Sequence, residues 1–334
     1  MTIEARPATT RLLSAVADGA HVQGARVGPR ITNSRFAHMA DDGINIYSVC
    51  PTITRVEGED TILTTTSSNL QAGDEVMIFD PNEGRSRLRA GVLEAGLFDD
   101  GGKQRLRVRL DQPIPEIATG DSPATADHLH NLSRTGEGAV ITGNTFEGHR
   151  RHGIMFKGPD AVIERNTFSG FGANAIVVGN DPDWPEGALG SRIRIASNSA
   201  RDIGISKHYS EVPSGAAITV HAKARRRGGI AAERLVHDVA IIGNNIVNPP
   251  SAGIFLGAVE GFEVSGNTIA HEGAAARLPR DAAAIAGLNV DDGTISGNTI
   301  TSSRAEITEG IDMSSDENGS RITSGSNSIS LQAN

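Results

Sequence analysis

The sequence predicts a right-handed parallel β-helix with a small antiparallel β-barrel inserted near its front, an all-β fold. Three observations predict it. An Asn recurs two places before an Ile or Phe in Ile141-Thr-Gly-Asn144-Thr-Phe146, Ile163-Glu-Arg-Asn166-Thr-Phe168, Ile241-Ile-Gly-Asn244-Asn-Ile246, Val264-Ser-Gly-Asn267-Thr-Ile269 and Ile295-Ser-Gly-Asn298-Thr-Ile300. The basic step is 22 residues (Asn144 to Asn166) or 23 (Asn244 to Asn267), the length of one solenoid coil. The composition fits, with 39 Gly and only 4% aromatic residues, and no long apolar helical periodicity competes with it.

Each repeat carries short alternating segments such as Ala139-Val-Ile-Thr and Gly153-Ile-Met-Phe, which place every second side chain inward. The Gly or Arg before the Asn marks a bend that tolerates left-handed backbone. One coil cannot bury its own apolar side chains, but stacked coils bury them against one another, with strands roughly 4.8 Å apart. Stacked Asn side chains can then form a ladder that satisfies turn backbone groups, so the Asn residues read as structural.

Residues 1–50 hold the first coils, with a weak repeat at Ile31-Thr-Asn-Ser34-Arg-Phe36. Residues 51–130 break the pattern. Asp60-Thr-Ile-Leu-Thr-Thr, Gly73-Asp-Glu-Val-Met-Ile-Phe, Arg89-Ala-Gly-Val-Leu-Glu-Ala and Arg105-Leu-Arg-Val-Arg-Leu-Asp read as strands of the inserted barrel. Residues 111–130, with three Pro residues, read as its return linker. Residues 131–334 resume the β-helix, with weak repeats at Asn198 and Asn327, and end in polar, Ser-rich coils around Ser314, Ser315 and Ser324. Loops are expected at 180–190, 207–215, 222–233 and 274–281.

Net charge is −9, which argues against a nucleic-acid partner, since phosphate binding needs a basic face. The one basic run, Lys223-Ala-Arg-Arg-Arg227, reads as a solvated loop. Cys50 is the single cysteine, so no intrachain disulfide forms, and it reads as a small buried residue. No segment reaches the ~20 apolar residues of a membrane span. The opening Met1-Thr-Ile-Glu-Ala-Arg-Pro7 lacks the pattern of a signal peptide, which leaves an intracellular protein, a mature form or part of a longer one as expectations. Oligomeric state is not legible.

The chemistry is expected at Ala40-Asp41-Asp42-Gly43-Ile44-Asn45-Ile46. Asp18, in Ala17-Asp18-Gly19-Ala20-His21, precedes Asp41 by 23 residues and Asp42 by 24. Acids one coil apart share a face of the solenoid, and their repulsion raises at least one carboxyl pKa while another group stays ionised. Glycoside hydrolysis needs that split: one protonated acid for the leaving oxygen and one carboxylate for water or the sugar carbon. Neighbouring strand residues face opposite ways, so a bend at Asp41–Gly43 is required if both acids are to face one cleft. Asp99-Asp100-Gly101 and Asp291-Asp292-Gly293 read as plain turns. His128 and His130 have metal-like spacing but no evident third ligand, so no metal is expected there.

These runs, with a barrel insertion containing Gly73-Asp74-Glu-Val, then Arg151-His152-Gly153-Ile154, then Val178–Glu186 with Trp184, resemble glycoside hydrolase family 110, the α-1,3-galactosidases. The resemblance implies metal-independent, inverting hydrolysis of a terminal α-linked galactose, with no cofactor and, by family habit, a secreted or periplasmic location. Carried over, Asp41 stands where the general acid does, with Asp18 and Asp42 together activating water. The family usually follows the acid pair with Asn-Val-His-Gly-Thr, where this chain has Asn45-Ile46-Tyr47-Ser48-Val49. The candidate substrate-binding set is His21, Asn45, Tyr47, Arg151, His152, Lys157 and Trp184, with Trp184 as an aromatic platform for a sugar face. A polysaccharide lyase, a polygalacturonase-like enzyme on acidic glycans and a non-catalytic carbohydrate-binding β-helix are the other readings of the same fold.

Overall fold

The computed structural model describes residues 1–5, 10–66, 69–206, 215–226, 229–249, 251–272, 283–314 and 321–332. Residues 207–214 and 274–281 of the expected loops lie outside them, as do Arg227 and Ser315. Among the described residues there is no α-helix, and none that could cross a membrane as an apolar helix.

The β-helix is built as the repeat predicts. One face is a nine-stranded parallel sheet from Thr2–Ile3 to Ser328–Leu331. The other two faces carry further parallel strands and merge where the long strands Ile254–Ser265 and Ala283–Ser296 bend across both. In-register pairing stacks Phe36, Phe146, Phe168, Ala200, Ile246, Ile269, Ile300 and Ile329 in one column. At its front the rings of Phe36, Phe146 and Phe168 stack with centroids 5.1 and 4.9 Å apart and planes 8° and 6° from parallel. Phe146 is fully buried in this stack. Phe146→Ala is therefore expected to cost about 3–5 kcal/mol, read as a lower denaturation midpoint in urea.

The Asn ladder runs beside this column. Each rung donates its side-chain NH2 to the next rung's oxygen, as Asn144 does to Asn166 at 2.9 Å and Asn166 to Asn198 at 3.0 Å. The residue before each Asn from Asn144 to Asn298 adopts left-handed backbone, at φ 68° for Gly143, 53° for Arg165 and 55° for Ser197.

Between Cys50 and Asn131 the chain leaves the solenoid and forms a six-stranded antiparallel sheet. A bridge from Thr52 to His128 joins its two edges and closes it into a barrel. Ile53, Val76, Ile78, Val108 and Leu129 fill the interior, in a core separate from that of the solenoid. The expected linker differs in one respect: its end, His128–Asn131, is a strand paired with Glu75–Asp80. Its two His residues, singled out in the sequence for their metal-like spacing, are both buried. His128 Nε2 meets the Pro123 carbonyl at 2.9 Å, and His130 packs on the Phe79 ring. Burial pushes their pKa values down to about 4 and about 3, so both imidazoles are neutral.

Candidate active site

Three successive coils build the site. Ala20 pairs with Ile44 and His21 with Asn45, so the 24-residue offset sets Asp18 beside Asp42. Ile44 pairs in turn with Ile154 and Asn45 with Met155. The barrel leaves and re-enters between these two coils, so Arg151 and His152 lie next to Asp41 and Asp42 across 110 residues of sequence.

The bend demanded by two adjacent outward acids is present. The regular strand begins at Ile44, so Asp41 and Asp42 precede it and escape its alternation. Gly43 makes this possible. A Cβ there would stand 2.5 Å from the Gly153 oxygen and 2.7 Å from the Phe146 ring. Without one, the backbone lies against the phenyl column and the preceding acids turn outward. Oxygens of Asp18, Asp41 and Asp42 lie within 4.8 Å of one another.

The three carboxyls sit in different environments. Asp42 is 3% exposed, and its Oδ1 accepts the His152 backbone N–H at 2.9 Å. Burial pushes its pKa up to about 7, against the pull of Arg151 and the His152 N–H, with Asp41 and Asp18 adding repulsion. Burial also raises the Asp18 pKa, opposed by the Asp42 backbone N–H that its Oδ1 accepts at 3.1 Å. His21 Nδ1 stands 3.2 Å from its other oxygen. Asp41 is one-third exposed and faces Arg151 at 3.2 Å.

These groups line a cleft of ≈ 330 Å³. Of the expected set, Asp18, His21, Asp41, Asp42, Asn45, Arg151, Lys157 and Trp184 all border it. Tyr47 and His152 do not. The Tyr47 hydroxyl lies behind, 2.8 Å from His21 Nε2 and 3.3 Å from Gln23, where it orients His21. The His152 ring turns along the solenoid, 3.3 Å from the Asn174 backbone N–H, and burial lowers its pKa to about 3. Its share in the site is the backbone N–H given to Asp42.

On the far wall the sequence reading includes Lys157 and Trp184 but gives Glu186 no role. Glu186–Gly187 pairs antiparallel with Ser48–Val49. This brings Glu186 to Lys157 at 2.5 Å. Lys157 is 1% exposed, also reaches Asn45 at 3.3 Å, and sits 5.4 Å above the Tyr47 ring. Arg150, Met155 and Asp181 complete the lining. Trp184 stands at the rim, 69% exposed. Glu186 had one weak signal, its place two residues after the only tryptophan. Three clustered carboxylates could hold a divalent cation; here Arg151 supplies positive charge beside Asp41.

Residues 131–329 match the family model described as a right handed beta helix region. No curated protein matches the chain. Among solved structures, the tailspike protein gp49 from Pseudomonas phage LKA1 aligns with a TM-score of 0.35 and 14% identity, over 93% of this chain and 53% of that one. The Gp54 tailspike of Acinetobacter baumannii bacteriophage AP22, solved in complex with A. baumannii capsular saccharide, aligns with a TM-score of 0.19 and 9% identity, over 94% of this chain and 66% of that one. The chain thus spans about half the length of the first and about two thirds of the second, and scores this low say nothing about the site. The family model covers more than half of the 334 residues, and with the stacked parallel coils it shows that the protein belongs to the right-handed β-helix family.

Proposed function

We propose that the protein is a glycoside hydrolase, with terminal α-linked galactosides as its first-choice substrates. The observation that carries this is the carboxyl cluster: three acids within 4.8 Å in an open cleft, one buried with a pKa pushed up to about 7 and one held beside an arginine. That is the acid-and-carboxylate pairing that glycosidic cleavage needs. The environments support a division of labour opposite to the one carried over from the family. Asp42 keeps the proton and serves as general acid. Asp41, paired with Arg151, acts on the water or the anomeric carbon, and Asp18 supports the pair.

The galactose assignment rests on the resemblance of the Asp18 and Asp41–Asp42 runs. The inverting course belongs to the same resemblance. The anomer first released, followed by NMR, tests it: an inverted product is the expected result.

Charge supports a neutral glycan over an acidic one. Five acidic and three basic side chains line the cleft, and Arg151 and Lys157 are already engaged by Asp41 and Glu186. A uronate would meet net repulsion there. The test is galactose release from α-1,3-galactosides, with Asp41→Asn as control, beside polyuronates assayed for reducing ends and for ultraviolet-absorbing unsaturated product. Release from the galactoside alone, lost in the variant, is the expected result. Turnover of polyuronate, or release undiminished in Asp41→Asn, overturns the proposal. Glycan binding without turnover by the folded protein would instead identify a binding module.

A further inference from the structure

The loop carrying Trp184 and Glu186 is held from two sides. On the inner side it is a strand added to Ser48–Val49, with the Cys50 N–H donating to the Pro185 carbonyl at 2.9 Å. On the outer side it meets the basic run that the sequence suggests is solvated. Lys223 and Arg225 are instead largely covered, at 20% and 15% side-chain exposure. Asn180 and Lys223 exchange two hydrogen bonds: Lys223 N–H to Asn180 Oδ1 at 2.7 Å, and Asn180 Nδ2 to the Lys223 carbonyl at 3.0 Å. Lys223 Nζ reaches Asp181 at 3.4 Å and Asp183 at 3.2 Å. Arg225 donates to Asp183 at 3.1 Å and to the Pro182 carbonyl at 2.5 Å, and a third bond goes to the Pro123 carbonyl of the barrel's return segment.

The same run is fastened to the barrel through its backbone. The Arg225 and Arg226 N–H groups donate to the Pro81 and Asn82 carbonyls at 2.9 and 3.0 Å. Glu233 closes the contact by accepting the Ser86 N–H at 2.7 Å. A continuous set of bonds thus leads from the barrel turn at 80–84, through Lys223 and Arg225, to the wall of the cleft. The planar guanidinium of Arg225 fits this junction because it can serve three acceptors in fixed directions at once.

We infer that Lys223 and Arg225 are positioning residues that hold the Trp184–Glu186 wall over the carboxyl cluster, and that the inserted barrel is the buttress against which they hold it. Neither side chain borders the cleft, so they act through Asp181, Pro182 and Asp183. Cleft width and the reach of Trp184 then depend on a domain that supplies no lining residue, and a wall set too loosely weakens substrate positioning before it weakens chemistry. The placement of the wall stands on its own; only its effect on turnover rests on the hydrolase reading.

Trp184 is the only tryptophan in the chain, so its fluorescence reports this wall alone. Time-resolved anisotropy of the full chain is compared for the parent, Lys223→Met/Arg225→Met, Asp183→Asn, and Arg226→Ala. The last removes an exposed side chain that pairs with Glu83 at 3.2 Å and serves as control. The expected result is about a twofold rise in the fast, local component for the double variant, a smaller rise for Asp183→Asn and none for Arg226→Ala, with unchanged far-UV circular dichroism. On a cleaved galactoside, KM rises about tenfold in the double variant while kcat changes less than about threefold. Unchanged Trp184 anisotropy in a folded double variant overturns the inference. If the double variant does not fold, Asp183→Asn decides, because Asp183 is 54% exposed and its loss leaves Lys223 with Asp181 and Arg225 with two proline carbonyls. A protein that cleaves no glycan yet shows the anisotropy change refutes the hydrolase reading and leaves the buttress standing.

Discussion

Asp42→Asn is expected to lower kcat/KM on a natural galactoside by about a thousandfold, within the ~10²–10⁴ range that a general acid contributes. The substitution is nearly isosteric, and the amide oxygen can still accept the His152 N–H now 2.9 Å from Oδ1, so the loss reports the missing proton. Two further measurements separate its role from that of Asp41. With an activated aryl galactoside, whose leaving group departs without protonation, Asp42→Asn recovers most of the lost rate and Asp41→Asn does not. The pH profile gives the second. Asp42 titrates at about 7, so the rate of the parent falls as pH rises through that value, and in Asp42→Asn this limb disappears. Recovery in Asp41→Asn instead would return the acid's role to Asp41, as the family resemblance has it.

The same carboxyl couples stability to pH. Its folded pKa of about 7 lies above the 3.8 of an ordinary aspartate, so between those values the folded protein holds a proton that the unfolded chain has released. The contribution is fully present below the unfolded pKa and is lost as pH rises through the folded one. Buried His128, His130 and His152, neutral in the fold, oppose that trend over the same range, so the effect is read as a difference: the urea midpoint of the parent relative to Asp42→Asn is expected to decline from about pH 4 to pH 7.

What sequence made legible, and what it hid, follows from the range of the interactions. The Asn rungs and the Phe and Ile column recur at fixed intervals, and each contact joins neighbouring coils, so reading the period yields the solenoid. The meeting of Asp18 with Asp42 is the same kind of fact, one period long. Glu186 is different. It reaches Lys157 because a two-residue strand adds antiparallel to Ser48–Val49, an event with no periodicity behind it. Lys223 and Arg225 mislead for a related reason. A run of basic residues in a Gly-rich loop looks solvated until Asp181, Asp183 and two proline carbonyls arrive from elsewhere in the chain. His152 is a different case: the family resemblance sets it among the substrate-binding residues, but its ring turns along the solenoid to Asn174 and leaves only its backbone to the site.

The Asn ladder carries the largest expected effect on stability, and position along it sets the size. Asn198 lies mid-ladder at 3% exposure. Its Oδ1 accepts the Asn166 backbone N–H and side chain, both at 3.0 Å, and its Nδ2 donates to the Ile163 carbonyl at 2.9 Å and to Asn244 Oδ1 at 3.0 Å. Asn198→Ala removes the acceptor of the buried Asn166 N–H and a donor to the buried Ile163 carbonyl. At ~1–3 kcal/mol for each group left short of a partner, the loss is about 2–6 kcal/mol before any cavity cost. Asn327 makes equivalent bonds to the Asn298 N–H and the Ile295 carbonyl, at 3.0 and 3.1 Å, but its surroundings at Ser324–Ser326 are exposed, so water can replace what its side chain supplied. Asn327→Ala is expected to cost only about 1 kcal/mol. Asn198→Leu should rescue nothing, because restoring volume leaves the same N–H and carbonyl bare. Urea denaturation of the three variants checks the order. Equal losses at Asn198 and Asn327 would mean that the rungs act by local turn preference, whereas a steep fall from the middle to the end identifies desolvated backbone as what the ladder satisfies.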